Sequence, residues 1–178
     1  MRDYDQWFSA TPDPWETVAR LEPGGDHTAA TTLQSAVLQS EPGQWPALEK
    51  KLLALLQRPE ASDTARMFVC RLLGLVGSSA AVPALVPLLR DVRTADIARY
   101  ALDAIDSRAV DEAYRAALGV LTDAPKAGLI GSIALRRDAQ ALGAIEAIAR
   151  DPAESPEVRT AAGHALERLT ANERSAAQ

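Results

Sequence analysis

Four segments of the chain end in similar ways about thirty residues apart, and this recurrence limits the fold more than any other feature. They are Arg71-Leu72-Leu73-Gly74-Leu75-Val76-Gly77, Tyr100-Ala101-Leu102-Asp103-Ala104-Ile105, Gly131-Ser132-Ile133-Ala134-Leu135 and His164-Ala165-Leu166-Glu167-Arg168-Leu169. Aligned on Leu73, Leu102, Ile133 and Leu166, they are separated by 29, 31 and 33 residues. Four positions before each anchor stands another apolar residue: Val69, Ala98, Leu129 and Ala162. Residues four apart share one face of an α-helix, so a buried helical stripe recurs in phase with the repeat. No stretch shows the strict alternation of a half-buried strand.

A second motif follows three of these segments: Ala81-Val82-Pro83-Ala84-Leu85, Ala109-Val110-Asp111-Glu112-Ala113 and Ala141-Leu142-Gly143-Ala144-Ile145. Each leads into its own apolar periodic run, so the unit is a pair of helices, outer then inner, joined by a short turn. Outer helices are expected over about 43–58, 80–90, 108–122 and 139–150, inner helices over about 63–76, 95–105, 125–136 and 156–170. Asp63 can cap the helix that begins at Thr64, while Pro83 and Pro156 suit first helical turns. Pro87 lies deeper and should bend its outer helix by removing a backbone donor. Asp91, Asp106, Asp123, Asp138 and Asp151 mark turns. A lone hairpin cannot bury its apolar face, so neighbours must stack, with at least three needed for stability.

The first 45 residues depart from this pattern and hold five of the eight aromatics: Tyr4, Trp7, Phe8, Trp15 and Trp45. Asp13-Pro14-Trp15 reads as a cap and first-turn proline opening a short helix to about Leu21. Gly24-Gly25 breaks it, and Asp26 starts a helix to about Gln39. The expected organisation is one structural domain: an N-terminal helical cap over 1–42, hairpins over 43–78, 79–106, 107–138 and 139–170, and a frayed polar tail over 171–178. The fold class is therefore all-α, a right-handed α-solenoid of about four helical hairpins behind a cap whose aromatics seal the exposed end.

Composition narrows the functional classes. Hydrophobic residues are 47% of the chain and aromatics only 4%, so the core must be built from Ala, Leu, Val and Ile. Formal charge is −5, which gives no overall field attracting phosphate polymers. The single cysteine, Cys70, forms no internal disulfide and sits in the apolar run Met67-Phe68-Val69-Cys70, the setting of a small core thiol. The N-terminus has acidic residues where a signal peptide needs a basic start, and no apolar run approaches the ~20 residues of a membrane span. A cytoplasmic location is the default expectation, and an exported chain trimmed of its signal reads the same.

The stretch from about Ala65 to Leu169 resembles bacterial HEAT-repeat proteins of the short, HEAT-like type first described in phycobilisome lyases. The likeness is carried by Val69-Cys70-Arg71, Ala81-Val82-Pro83-Ala84-Leu85, Ala98-Arg99-Tyr100-Ala101-Leu102 and Leu129-Ile130-Gly131-Ser132-Ile133. It implies an α-solenoid with inner helices on the concave side, used to hold another macromolecule, and no active site. The third repeat departs from the pattern: Asp111-Glu112 replaces Pro-Ala, and Pro125-Lys126-Ala127-Gly128 opens its inner helix unusually.

Helical geometry then names a candidate face. Relative to the anchors, positions −6, −2 and +1 point away from the buried stripe. The −2 row is Arg71, Tyr100, Gly131 and His164; the +1 row is Gly74, Asp103, Ala134 and Glu167; the −6 row is Met67, Asp96, Ala127 and Thr160, with Arg99 beside it. Tyr and Arg are the types that anchor interfaces, so a protein or peptide partner is expected on Met67, Arg71, Asp96, Arg99, Tyr100, Asp103, Gly131, Thr160, His164 and Glu167. HEAT-like DNA glycosylases suggest a nucleic-acid alternative, in which Arg66, Arg71, Arg99, Lys126 and Arg159 are offset by Asp96, Asp103 and Glu167 without a continuous phosphate track. The resemblance also implies an enzymatic alternative, a bilin-lyase-like role in chromophore handling. Against catalysis stand only two histidines, His27 and His164, no spaced metal cluster, no His-Glu pairs, and a Gly24-Gly25 too short for a phosphate loop. Neither cofactor nor metal is expected, and oligomeric state is left open.

Overall fold

The computed structural model describes residues 13–176, with side chains through Ala171. Among the described residues the chain is all-helical, with ten α-helices and short 3₁₀ turns. They are α1 (Pro14–Val18), α2 (Thr28–Leu38), α3 (Trp45–Leu56), α4 (Asp63–Val76), α5 (Val82–Leu85), α6 (Ala95–Asp103), α7 (Arg108–Leu118), α8 (Asp123–Arg136), α9 (Leu142–Arg150) and α10 (Pro156–Ala176). Helix α4 packs against α6, α6 against α8, and α8 against α10, while α3, α7 and α9 each lie against the helix that follows them.

Local chemistry explains most boundaries. Asp13 accepts from the Trp15 N–H at 3.0 Å and Pro14 fills the first turn of α1, which ends at Val18, short of Leu21. Asp26 accepts from both Thr28 N–H (2.8 Å) and its hydroxyl (2.6 Å), opening α2. The cap of α4 is Ser62 rather than Asp63: the Ser62 hydroxyl accepts from Ala65 N–H at 3.0 Å. Asp63 is instead the first helical residue, where a carboxylate suits the helix dipole, and Arg93 reaches it at 2.5 Å. Pro87 does more than bend its helix: α5 stops at Leu85 and the chain continues as a 3₁₀ helix over Val86–Arg90. The turn aspartates Asp138 and Asp151 accept from Gln140 and Ala153 N–H groups at 3.2 and 2.8 Å. Asp123, expected in a turn, is the first residue of α8. At the C-terminus α10 runs on to Ala176, through most of the segment expected to fray, because Ala171 to Ala176 contains no glycine or proline to stop it.

The anchor register holds. Leu73, Leu102 and Ile133 are buried, and so are all four residues one turn earlier, Val69, Ala98, Leu129 and Ala162. Burying each leucine or isoleucine contributes roughly 1.5–3 kcal/mol relative to exposure. Leu166 is the exception, half-buried on the last helix, where Ala165 and Leu169 take the deeper positions.

Polar contacts join helices both within hairpins and between successive ones. Ser78 donates its N–H and hydroxyl to the buried Glu49, 29 residues back, at 2.7 and 3.0 Å. Arg93 pairs with Asp63 over 30 residues, and the buried Lys126 pairs with Glu154 over 28. Arg136 Nε donates to Asp111 at 2.5 Å, and Arg115 pairs with Asp138. Asp111 and Lys126, the residues that break the pattern in the third repeat, are thus partners in these contacts. In the N-terminal part, Arg58 forks onto Glu16 at 2.7 and 2.6 Å and Lys51 sits 5.3 Å from the Trp15 ring centre. Trp45 opens α3 and is exposed, whereas Tyr4, Trp7 and Phe8, expected to seal the cap, lie outside the described residues.

Cys70 is fully buried, and burial pushes its thiol up to about 12. A thiolate is therefore scarce at neutral pH, and the sulfur is out of reach of solvent. Native protein mixed with an aromatic disulfide reagent at pH 8 is expected to release no colour, and the same protein in guanidinium chloride one equivalent per chain. Rapid labelling of the native form would place Cys70 outside the core.

Candidate binding face

Two positions to either side of an anchor lie about 160° from it on the helical wheel, while one position lies only about 100° away. The structure separates the expected rows on this basis. All four members of the −2 row, Arg71, Tyr100, Gly131 and His164, are exposed, Tyr100 by 55%. In the −6 row Asp96 and Thr160 are exposed, while Met67 and Ala127 are half-buried. The +1 row does not belong to the open face. Ala134 is buried, Gly74 and Asp103 are half-buried, and only Glu167, on the last helix, is exposed. Gly74 explains why: a Cβ there would sit 3.4 Å from the Tyr100 ring and 3.5 Å from Ala101 Cα, so this row faces the neighbouring helix.

Asp103 and Arg99, expected as free groove residues, are committed to a network joining α6, α7 and α8. Asp103 Oδ1 accepts from the Tyr114 hydroxyl at 2.9 Å, and its Oδ2 accepts from the Ser132 hydroxyl at 2.8 Å. Arg99 donates to Ser132 Oγ and to Asp96, both at 3.2 Å, and its guanidinium lies 3.5 Å from Asp103. Tyr114 and Ser132 are fully buried. Burial first, and the Asp103 carboxylate second, hold the Tyr114 phenol well above its ordinary range. A Cβ on Gly128 would stand 3.1 Å from Arg99 Nε, so glycine at that position leaves room for the guanidinium to cross between helices. Arg136 completes the junction by donating to the carbonyls of Ile105 and Ser107, each at 3.1 Å.

The residues missed from the sequence are those at +2: Leu75, Ala104, Leu135 and Arg168. All are exposed, Leu75 by 45% and Leu135 by 61%. Each stands one helical turn beyond a −2 residue, so the open face is a double row, Arg71 with Leu75, Tyr100 with Ala104, Gly131 with Leu135, and His164 with Arg168. The i, i+4 relation to the −2 row was a usable signal. Near its far end lies a cleft lined by Ala134, Leu135, Arg137, Arg168 and Ala171.

Of the cations considered for nucleic acid, Arg66 and Arg99 are half-buried and ion-paired and Lys126 is buried against Glu154. Only Arg71 and Arg159 of that set are exposed. Among the described residues no three His, Cys, Asp or Glu side chains are placed to hold a metal ion, and no helix is long and apolar enough to cross a membrane. Comparison with protein families, with curated proteins and with solved structures finds no match.

Proposed function

We propose that this chain is a non-enzymatic protein-binding or scaffold module: a right-handed α-solenoid of about four HEAT-like hairpins that holds a protein segment along its inner helices. The observation that carries this reading is the exposure of the double row opposite the buried anchors of α4, α6, α8 and α10, with Leu75, Tyr100 and Leu135 open to solvent. Scattered exposed apolar residues are ordinary, but these three occupy equivalent faces of helices that pack in succession. A half-exposed tyrosine among leucines and arginines is the composition of an interface core. A solenoid supports it further, because stacked hairpins present such residues as a continuous surface. The fixed Arg66, Arg99 and Lys126 favour a protein partner over a phosphate backbone, since cations already held by carboxylates release no counterions.

The test is site-specific photocrosslinking. A benzophenone side chain placed at position 100 is expected to capture a partner from native cell extract, while the same group at position 112, exposed on α7, captures none. Equal capture at both positions, or capture at 112 alone, would remove the inner-helix face from consideration.

A further inference from the structure

The cleft between α8 and α10 has a chemistry that narrows the partner, and its role as a subsite rests on the inner-helix face being the surface that holds a protein segment. It is lined by the buried Ala134 and by the exposed Leu135, Arg137, Arg168 and Ala171. Neither guanidinium has a hydrogen-bond or ion-pair partner among the described residues. Arg58, Arg66, Arg93, Arg99, Arg115 and Arg136, by contrast, are paired with carboxylates. Among the described residues no carboxylate lines the cleft, and Asp138, next to Arg137 in sequence, is held by Arg115 and by Gln140 N–H.

The backbone at Arg137 adds a second observation. It closes α8 in the left-handed region, φ 59° and ψ 36°, with its own N–H bonded to Ala134 and the Asp138 N–H reaching back to the Ile133 carbonyl at 3.2 Å. Glycine is the favoured residue at this position of such a helix end, because a Cβ is strained there. An arginine is thus held where glycine would suit the fold better, with its charge at the cleft and unpaired.

We propose that this cleft receives an aspartate or glutamate side chain of an acidic peptide segment, with a neighbouring apolar residue of that segment resting on Leu135. Each guanidinium offers paired donors to a carboxylate, the geometry at which arginine exceeds lysine. The site continues the open face, since Gly131 and His164 lie one turn before Leu135 and Arg168. Long-range attraction does not assist, because the whole chain carries −5, so recognition comes from contact at the cleft. A phosphate backbone fits less well: two guanidiniums beside two alanines and an exposed leucine provide no track for successive phosphates.

The experiment uses the full chain and three fluorescein-labelled synthetic peptides: one alternating glutamate and leucine, one with lysine in place of glutamate, and one with serine in place of leucine. Anisotropy titration is expected to show the glutamate–leucine peptide binding at least about ten-fold tighter than either of the others. Arg168→Glu and Arg137→Gly should each weaken it by about ten-fold or more, while Arg137→Gly melts at the same temperature as the parent or higher. Equal binding of the lysine peptide, unchanged affinity in both arginine variants, or displacement of the acidic peptide by a single-stranded oligonucleotide would each overturn the proposal. Photocapture at position 100 with no acidic-peptide binding removes only this inference, whereas loss of both removes the binding face itself.

Discussion

Leu102→Ala is expected to lower the stability of the folded chain by about 2–5 kcal/mol, and Tyr100→Ala, two residues away on the same helix, by no more than about 1 kcal/mol. Leu102 has no solvent exposure and belongs to the core on α6, a helix packed against both α4 and α8. Truncation there removes the transfer energy of the lost methyl groups and leaves a cavity that stacked helices close only partly. Tyr100 is 55% exposed, and its ring touches the flank of Gly74 without being enclosed. At this chain length each kcal/mol shifts melting by roughly 2–4 °C, so urea and thermal unfolding followed by circular dichroism separate the two variants easily. The reverse order of effects would mean that the helical phase of α6 is wrong, and with it the open face.

The second large effect is expected at Asp103. Asp103→Ala should cost about 2–4 kcal/mol although the residue is half-buried, because the loss falls on its partners. Without the carboxylate the buried Ser132 hydroxyl loses its acceptor, and the Tyr114 hydroxyl keeps only a 3.2 Å bond to the Arg99 carbonyl. An unsatisfied buried donor costs about 1–3 kcal/mol, more than the net worth of the bond that was made. Asp103→Asn keeps an acceptor oxygen and should lose less. Adding Ser132→Ala to Asp103→Ala should recover part of the loss, since the stranded hydroxyl is then gone, and a double-mutant cycle by urea unfolding measures that coupling. If Asp103→Ala is as stable as the parent while binding is abolished, Asp103 is a contact residue and not a structural one.

These two residues show where the sequence was legible and where it was not. The anchors and the residues one turn before them could be read because helical periodicity and a repeat of about thirty residues agree on the same positions. Helix limits followed from Asp13, Asp26, Pro83 and Pro156, whose effects on the backbone are local. Asp103 looked like a surface residue because a carboxylate beside a leucine on an amphipathic helix is normally solvated. Its partners Tyr114 and Ser132 lie 11 and 29 residues away, on helices whose relative rotation no single-helix wheel contains. The same reason hid the buried Lys126, whose carboxylate Glu154 belongs to the next hairpin. At Ser62 and Asp63 both residues are good caps, and the Arg93 ion pair from the following hairpin accompanies the choice of Ser62. The left-handed arginine at 137 leaves no trace in the sequence, since arginine is not a residue that signals that conformation.

The double row opposite the buried anchors is proposed as the working surface, and hydroxyl-radical footprinting of the full chain with and without saturating glutamate–leucine peptide, or the partner captured at position 100, is the decisive test. Leu75, Tyr100, Leu135 and His164 are all exposed in the free chain, as are Val92 and Val120, which lie in turns and outside the double row. Oxidation of the first four is expected to fall on binding while Val92 and Val120 keep their free rates. Protection of Val92 and Val120 with unchanged oxidation at Tyr100 and Leu135 would place the working surface elsewhere on the molecule.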